Sequence, residues 1–202
     1  MFKRKIKVAI LISGRGSNMQ KLIEACEDPN FPAEIIVVGA NKYNVLGLEY
    51  AKSKSIKTFV IEHKNFAKLE NAREEFDKAL HQEIIKYDVE IICLAGFMRL
   101  LSKEFVDKWH NKIINIHPSL LPDFKGANAV EDALKSGVKI SGCTTHFVSV
   151  EMDAGPIIMQ AQMPVTPDDN IETLSQKILI KEHEIYPLTL KKVCQKILEL
   201  EN

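Results

Sequence analysis

Short apolar runs alternating with stretches of helical spacing constrain this chain's fold more than any other feature. The runs lie at 8–12, 35–38, 58–61, 91–94 and 113–116, and most of their residues are β-branched. They are too short for helices and are apolar at nearly every position, so they read as strands covered on both faces. Helical spacing occupies 19–26, 46–53, 66–87 and 103–109. A β-α-β-α order predicts an α/β fold with a doubly wound, mainly parallel sheet. After a further helix at 128–135 come two longer extended runs, 139–150 and 156–165, joined through 151–155. Adjacent long strands with so short a connection predict a C-terminal antiparallel strand extension. A final long amphipathic helix is expected over 171–198, bent at Pro187, which has no amide donor.

With 46% hydrophobic residues, the 202-residue chain can bury a substantial core, and no repeat or linker divides it. Lys plus Arg and Asp plus Glu both total 27, which excludes a global basic field for nucleic acid; any phosphate must be held locally. Cys26, Cys93, Cys143 and Cys194 are scattered without a Cys-x-x-Cys pair, as expected of reduced thiols in a cytoplasmic protein. The start has basic residues before an apolar run, but Lys7 interrupts that run and no small-residue cleavage site follows, so it reads as the first strand. No apolar run approaches the roughly 18 to 20 residues that span a bilayer, so no membrane association is expected.

Ser13-Gly14-Arg15-Gly16-Ser17-Asn18 sits between the first strand and a helix, where backbone amides and a helix N-terminus can receive an anion. A dinucleotide fingerprint would place a third glycine where Met19 stands and an acid where Asn41 ends the second strand. No Gly-Lys-Ser or Gly-Lys-Thr ending marks a triphosphate loop. A phosphate monoester suits Ser17 and Asn18 better; the plain alternative is a tight turn with Ser17 as N-cap.

The fifth strand ends in Asn115-Ile116-His117-Pro118, at the carboxyl edge where open α/β sheets bind ligands. In extended backbone Asn115 and His117 point to the same side, so an amide donor and an imidazole can address one reacting carbonyl. Asp153 lies in the connection between the two late strands, from which a carboxylate can return to hold the imidazole. Each also has a purely structural reading, a hydrogen-bonded strand-end histidine and a turn residue before Ala154-Gly155.

ISGRGSN at 12–18, AGFMRLLS at 95–102, NIHPSLLP at 115–122 and Asp153-Ala154-Gly155-Pro156 together resemble the glycinamide ribonucleotide formyltransferases, within the folate-dependent formyltransferases. The likeness runs through nearly the whole chain in order. Asn-x-His with a downstream Asp recurs across the wider family and specifies the chemistry; the SGxGSN loop narrows the acceptor. Methionyl-tRNA formyltransferases carry an extra C-terminal domain and formyltetrahydrofolate deformylases an N-terminal one, and the length fits neither.

The resemblance implies a single formyltransferase domain over 1–202, with a phosphate-binding half at about 1–110 and a catalytic and folate-binding half at about 111–202. It implies transfer of a formyl group from 10-formyltetrahydrofolate to glycinamide ribonucleotide in purine synthesis, without a metal, by a monomer or homodimer. Asn115, His117 and Asp153 match the catalytic set. Gly16, Ser17 and Asn18 match the phosphate site, and Glu182 lies near the ribose or glycinamide end. Arg73, Met98, Arg99, Leu100, Leu101, Asn115, Ser149, Val150, Glu151, Met152 and Asp153 correspond to folate-contacting positions. Val130 departs from the pattern, standing where relatives often carry a histidine.

His146, on a late strand beside Thr144 and Thr145, faces the edge of Asp153 if the hairpin folds back and reads as a structural histidine ahead of a catalytic partner, and a zinc site from His117, His146 and Asp153 lacks a compact ligand motif. Phe97 and Met98 suit a flat pterin or a continuing core strand. The mixed charges of 64–86 read as a solvated helix face, Arg73 apart. Two alternatives stay open: another formyltetrahydrofolate-using enzyme, a deformylase or one with a different amine acceptor, or a noncatalytic phosphoribosyl-ligand module.

Overall fold

A computed structural model describes residues 4–201. The order is β1 (Ile6–Ile12), α1 (Ser17–Cys26), β2 (Ala33–Ala40), α2 (Leu46–Ser53), β3 (Lys57–Val60), α3 (Ala72–Ile84), β4 (Ile91–Leu94), α4 (Lys103–Lys108), β5 (Ile113–His117), α5 (Ala129–Ser136), β6 (Ile140–Phe147), β7 (Ile157–Pro164) and α6 (Ile171–Leu200). The strands form one seven-stranded sheet in the order β3-β2-β1-β4-β5-β6-β7. The first five are mutually parallel, and β6 and β7 extend the sheet antiparallel. This is the expected doubly wound sheet with its antiparallel extension and long final helix.

The period of two in β1 builds two cores. Ile6, Val8, Ile10 and Ile12 pack with residues of α1 and α6, whereas Ala9 and Leu11 pack with Phe76, Leu80 and Ile84 of α3 and Phe105 of α4. Every apolar residue of β1 is buried, as a central parallel strand covered on both faces requires. Lys7 is accommodated because its chain N–H donates to Glu90 and its ammonium meets Asp88 at 3.3 Å.

Two expectations need correction. The helix expected over 66–87 divides into a 3-10 turn at His63–Phe66, α3 proper, and a second 3-10 turn at Ile85–Tyr87. Asp88, at φ 52°, ends that run, because a left-handed residue cannot continue it. The late strands are shorter than the apolar runs suggest, because 148–156 leave the ladder to form the turn bearing Asp153. Only glycine fits at position 155: a Cβ there would lie 1.8 Å from the Phe147 carbonyl oxygen.

A capping box starts α6, with Asn170 Oδ1 accepting from the Glu172 and Thr173 amides and Thr173 Oγ1 accepting from the Asn170 amide. The helix continues through Pro187. Tyr186, fully buried, presents its hydroxyl to the carbonyls of Leu94 and Ile114 at 2.9 and 3.0 Å, which fixes α6 against β4 and β5.

Candidate active site

The connections leaving β1 and β4 run to opposite sides of the sheet, which opens a crevice at their carboxyl ends. The glycine loop follows β1, the 95–102 segment follows β4, and Asn115 and His117 close β5. The first two segments are joined directly: the Ser13 amide donates to Gly96 O at 3.1 Å, and Ser13 Oγ accepts from the Met98 amide at 2.9 Å.

Gly16, at φ 72°, is the N-cap of α1, and Ser17 is the first helical residue rather than the cap. Among the described residues no side chain caps this helix, and the first helical amide to find its partner is Gln20, on Gly16 O at 2.9 Å. The start of α1 therefore presents amides and a partial positive charge to an adjoining cavity of about 440 Å³. That cavity is lined by residues of the glycine loop and of the 95–98 segment, together with Asn41, Lys42 and His63. Lys42 and His63 were not anticipated from the sequence, since they follow β2 and β3, whose placement on one side of β1 is a matter of topology.

Asn18 and Glu182 are brought together across 164 residues of chain, with Asn18 Nδ2 donating to Glu182 Oε2 at 2.7 Å. Both are more than nine-tenths buried. Burial pushes the Glu182 carboxyl above its ordinary range, and the Asn18 amide only partly offsets this. A raised carboxyl favours the neutral form in the fold, so ionising Glu182 costs stability as pH rises above its ordinary 4.5.

At the other end of the crevice Asp153 joins two histidines. Its Oδ2 lies 3.3 Å from His117 Nδ1 and accepts the Gly126 amide at 2.9 Å, while its Oδ1 lies 3.6 Å from His146 Nε2. His117 Nε2 meets the Phe124 carbonyl oxygen at 2.9 Å. Both partners of His117 are acceptors, so the ring satisfies them together only when each nitrogen carries a proton. His146 differs. Its Nδ1 faces the Phe147 carbonyl at 3.0 Å, which places the hydrogen there, and its Nε2 can then accept from Asn115 Nδ2 at 3.2 Å. That contact, shorter than the 3.6 Å approach to Asp153, orients the Asn115 amide and leaves its second N–H available. Sequence reasoning gave His146 a structural role. The β5–β6 register, which pairs Asn115 with His146, brings that hydrogen-bonded ring into the cluster.

Burial pushes the Asp153 carboxyl up, but His146 when its Nε2 carries a proton, the Gly126 amide and His117 outweigh it and hold the group below the ordinary carboxylate range. A depressed carboxyl contributes stability that is present above its ordinary 3.8 and lost as pH falls through its lower folded value. Near neutral pH the group is an anion.

Of the remaining candidates, Met98, Leu100, Val150 and Met152 are 78, 52, 54 and 47% exposed, and Met98 lines the cavity beside the glycine loop. Leu101 instead packs on the second core cluster. Glu151 pairs with Lys125 at 3.1 Å, and Ser149 Oγ donates to Glu151 O within the Asp153 turn. Arg99 lies over the Phe76 ring, and Arg73 is exposed on the first turn of α3. Val130, on α5, packs against the first core cluster.

The family model described as "Formyl transferase" matches residues 6–190. The chain belongs to the formyl transferase family. Among its relatives is the phosphoribosylglycinamide formyltransferase of Haemophilus influenzae, 40% identical over 185 residues, which are 92% of this chain and 85% of that one. The human trifunctional purine biosynthetic protein adenosine-3 is 48% identical over 198 residues, 98% of this chain, yet this chain spans only 19% of that protein's length. Of solved structures, glycinamide ribonucleotide transformylase 1 from Symbiobacterium toebii superposes with a TM-score of 0.90 at 38% identity, covering 95% of this chain and 89% of that one. Phosphoribosylglycinamide formyltransferase from Anaplasma phagocytophilum gives a TM-score of 0.86 at 45% identity, covering 96% and 89%. For this formyl transferase no helix among the described residues is long and apolar enough to cross a membrane.

Proposed function

We propose that the protein transfers the formyl group of 10-formyltetrahydrofolate to the glycinamide amine of glycinamide ribonucleotide, a step of purine synthesis. The observation that carries this reading is the Asn115–His146–Asp153–His117 cluster, built at the same sheet edge as a glycine loop whose helix start is uncapped. The family membership and the names of the relatives support the same reading.

A formamide nitrogen leaves poorly, so the acceptor amine must add to the formyl carbon and form a tetrahedral intermediate. The C–N bond to the donor then breaks as that nitrogen gains a proton, and the amine loses one. The free N–H of Asn115 and the His117 imidazolium stabilise the oxyanion. His117 is also the proton source for the departing nitrogen, and the reacting group takes the place of the Phe124 carbonyl on Nε2. Asp153 holds the imidazolium by charge and sets its direction through Nδ1. The acceptor's phosphate sits on the amides of Gly16, Ser17 and Asn18, with Glu182 beyond it toward the ribose. The reduced folate lies across 98–101 and 149–153, where the exposed apolar side chains supply a slot for the pterin and Arg73 and Arg99 suit its acidic tail.

Ser17→Asp tests the phosphate placement. A carboxylate at the helix start repels a phosphate, so the acceptor's KM should rise about tenfold or more while the donor's KM holds. Steady-state kinetics with each substrate varied in turn decide it; an unchanged acceptor KM in a folded variant would move the phosphate elsewhere.

A further inference from the structure

Asp77, on α3, is 2% exposed, and the proposed reaction does not employ it. Its Oδ2 accepts the backbone N–H of Ser102, the residue that ends the 95–102 segment and caps α4 through its Oγ and the Phe105 amide. Its Oδ1 is buried and has no hydrogen-bond partner among the described residues.

Arg99 presents the complement. Its Nε is likewise buried and unpartnered, and its guanidinium carbon lies 4.1 Å from the centre of the ring of Phe76, the residue before Asp77. A buried acceptor and a buried donor of opposite charge each cost free energy when left alone, and their mutual attraction offsets part of that cost. Among the described residues Asp77 and Arg99 form no ion pair within 4.0 Å, so each feels the other only through its field. Burial raises the Asp77 carboxyl while Ser102, Arg99 and Arg73 oppose the rise, and burial lowers Arg99 while Asp77 opposes the fall and Arg73 adds to it. Arg73 and Arg99 thus repel each other beside one shared carboxylate, an arrangement relieved by an anion from outside.

We propose that Asp77 is the positioning residue of the donor subsite: it anchors the 95–102 segment through Ser102 and holds Arg99 on Phe76, where Arg99 with Arg73 receives the carboxylates of the donor's tail. This rests on the folate reading above. Asp77 itself touches neither substrate. Removing its charge while keeping an acceptor for Ser102 leaves the pterin slot in place but frees Arg99 from its counter-charge.

The test is calorimetric binding of tetrahydrofolate and of tetrahydropteroate, which lacks the glutamate, to the wild-type protein and to Asp77→Asn. Tetrahydrofolate binding should weaken about tenfold in Asp77→Asn, with tetrahydropteroate binding unchanged within about twofold. Arg99→Met should show the same split, and the double variant should lose little more. Should Asp77→Asn fail to fold, Asp77→Ser, smaller and still offering an acceptor, carries the same comparison. Equal weakening of both ligands would make Asp77 merely structural, and no weakening of either would remove it from the subsite; both results overturn the proposal. A wild-type protein that binds neither ligand overturns it together with the folate reading, a failure distinct from the other two.

Discussion

His117→Ala and Asp153→Asn will each lower turnover by about a hundredfold or more, and the double variant will lose little beyond the worse single. The expectation follows from the bridge between them: in the proposed reaction Asp153 acts through His117 Nδ1, so removing the ring leaves the carboxylate little to do. Asp153→Asn is structurally mild. Residue 153 sits at φ 50°, which asparagine tolerates, and an amide oxygen can still accept the Gly126 N–H, so only the charge is lost. Rapid-quench or steady-state turnover of the two singles and the double measures the coupling. Fully additive losses, or near-normal turnover in either single variant, would mean that the two residues do not work as a unit.

Asn115→Ala should cost about a hundredfold to a thousandfold in turnover, the usual loss of one oxyanion donor, with both KM values close to wild type. Asn115→Asp should be at least as severe despite its near-identical shape, because it sets a carboxylate where negative charge develops and removes the N–H held in place by His146. Turnover that survives the alanine change would assign the oxyanion to other donors. If Asn115→Asp were much the better of the two, the amide's shape rather than its N–H would be what matters.

The parallel half of the fold was legible because its strands are short apolar runs alternating with helical spacing; the strand order β3-β2-β1-β4-β5 was not. Asn115, His117 and Asp153 were legible because they fall at a strand end and in the returning turn. His146 was not, since its role depends on the β5–β6 register, and one residue of slip would turn its side chain to the other face. Lys42 and His63 escaped for a related reason: they reach the cavity beside the glycine loop only because β2 pairs with β1 and β3 with β2. Nor does Asp77 stand out from the mixed charges of 64–86, where exposed Glu74 and Lys78 flank a carboxylate that is buried; only packing against the 95–102 segment distinguishes it. The break of the 66–87 helix into three pieces was equally hidden, because its apolar spacing continues through the turns.

The central claim is the transfer of a formyl group to a phosphorylated amine, and one incubation tests it most directly. The purified protein is mixed with 10-formyltetrahydrofolate and glycinamide ribonucleotide, and formylated ribonucleotide, tetrahydrofolate and free formate are quantified together. Formylated ribonucleotide and tetrahydrofolate should appear in equal amounts, with no formate and no donor consumed when the ribonucleotide is withheld. Formate released at the same rate with or without the ribonucleotide, or no consumption of the donor at all, would contradict the account.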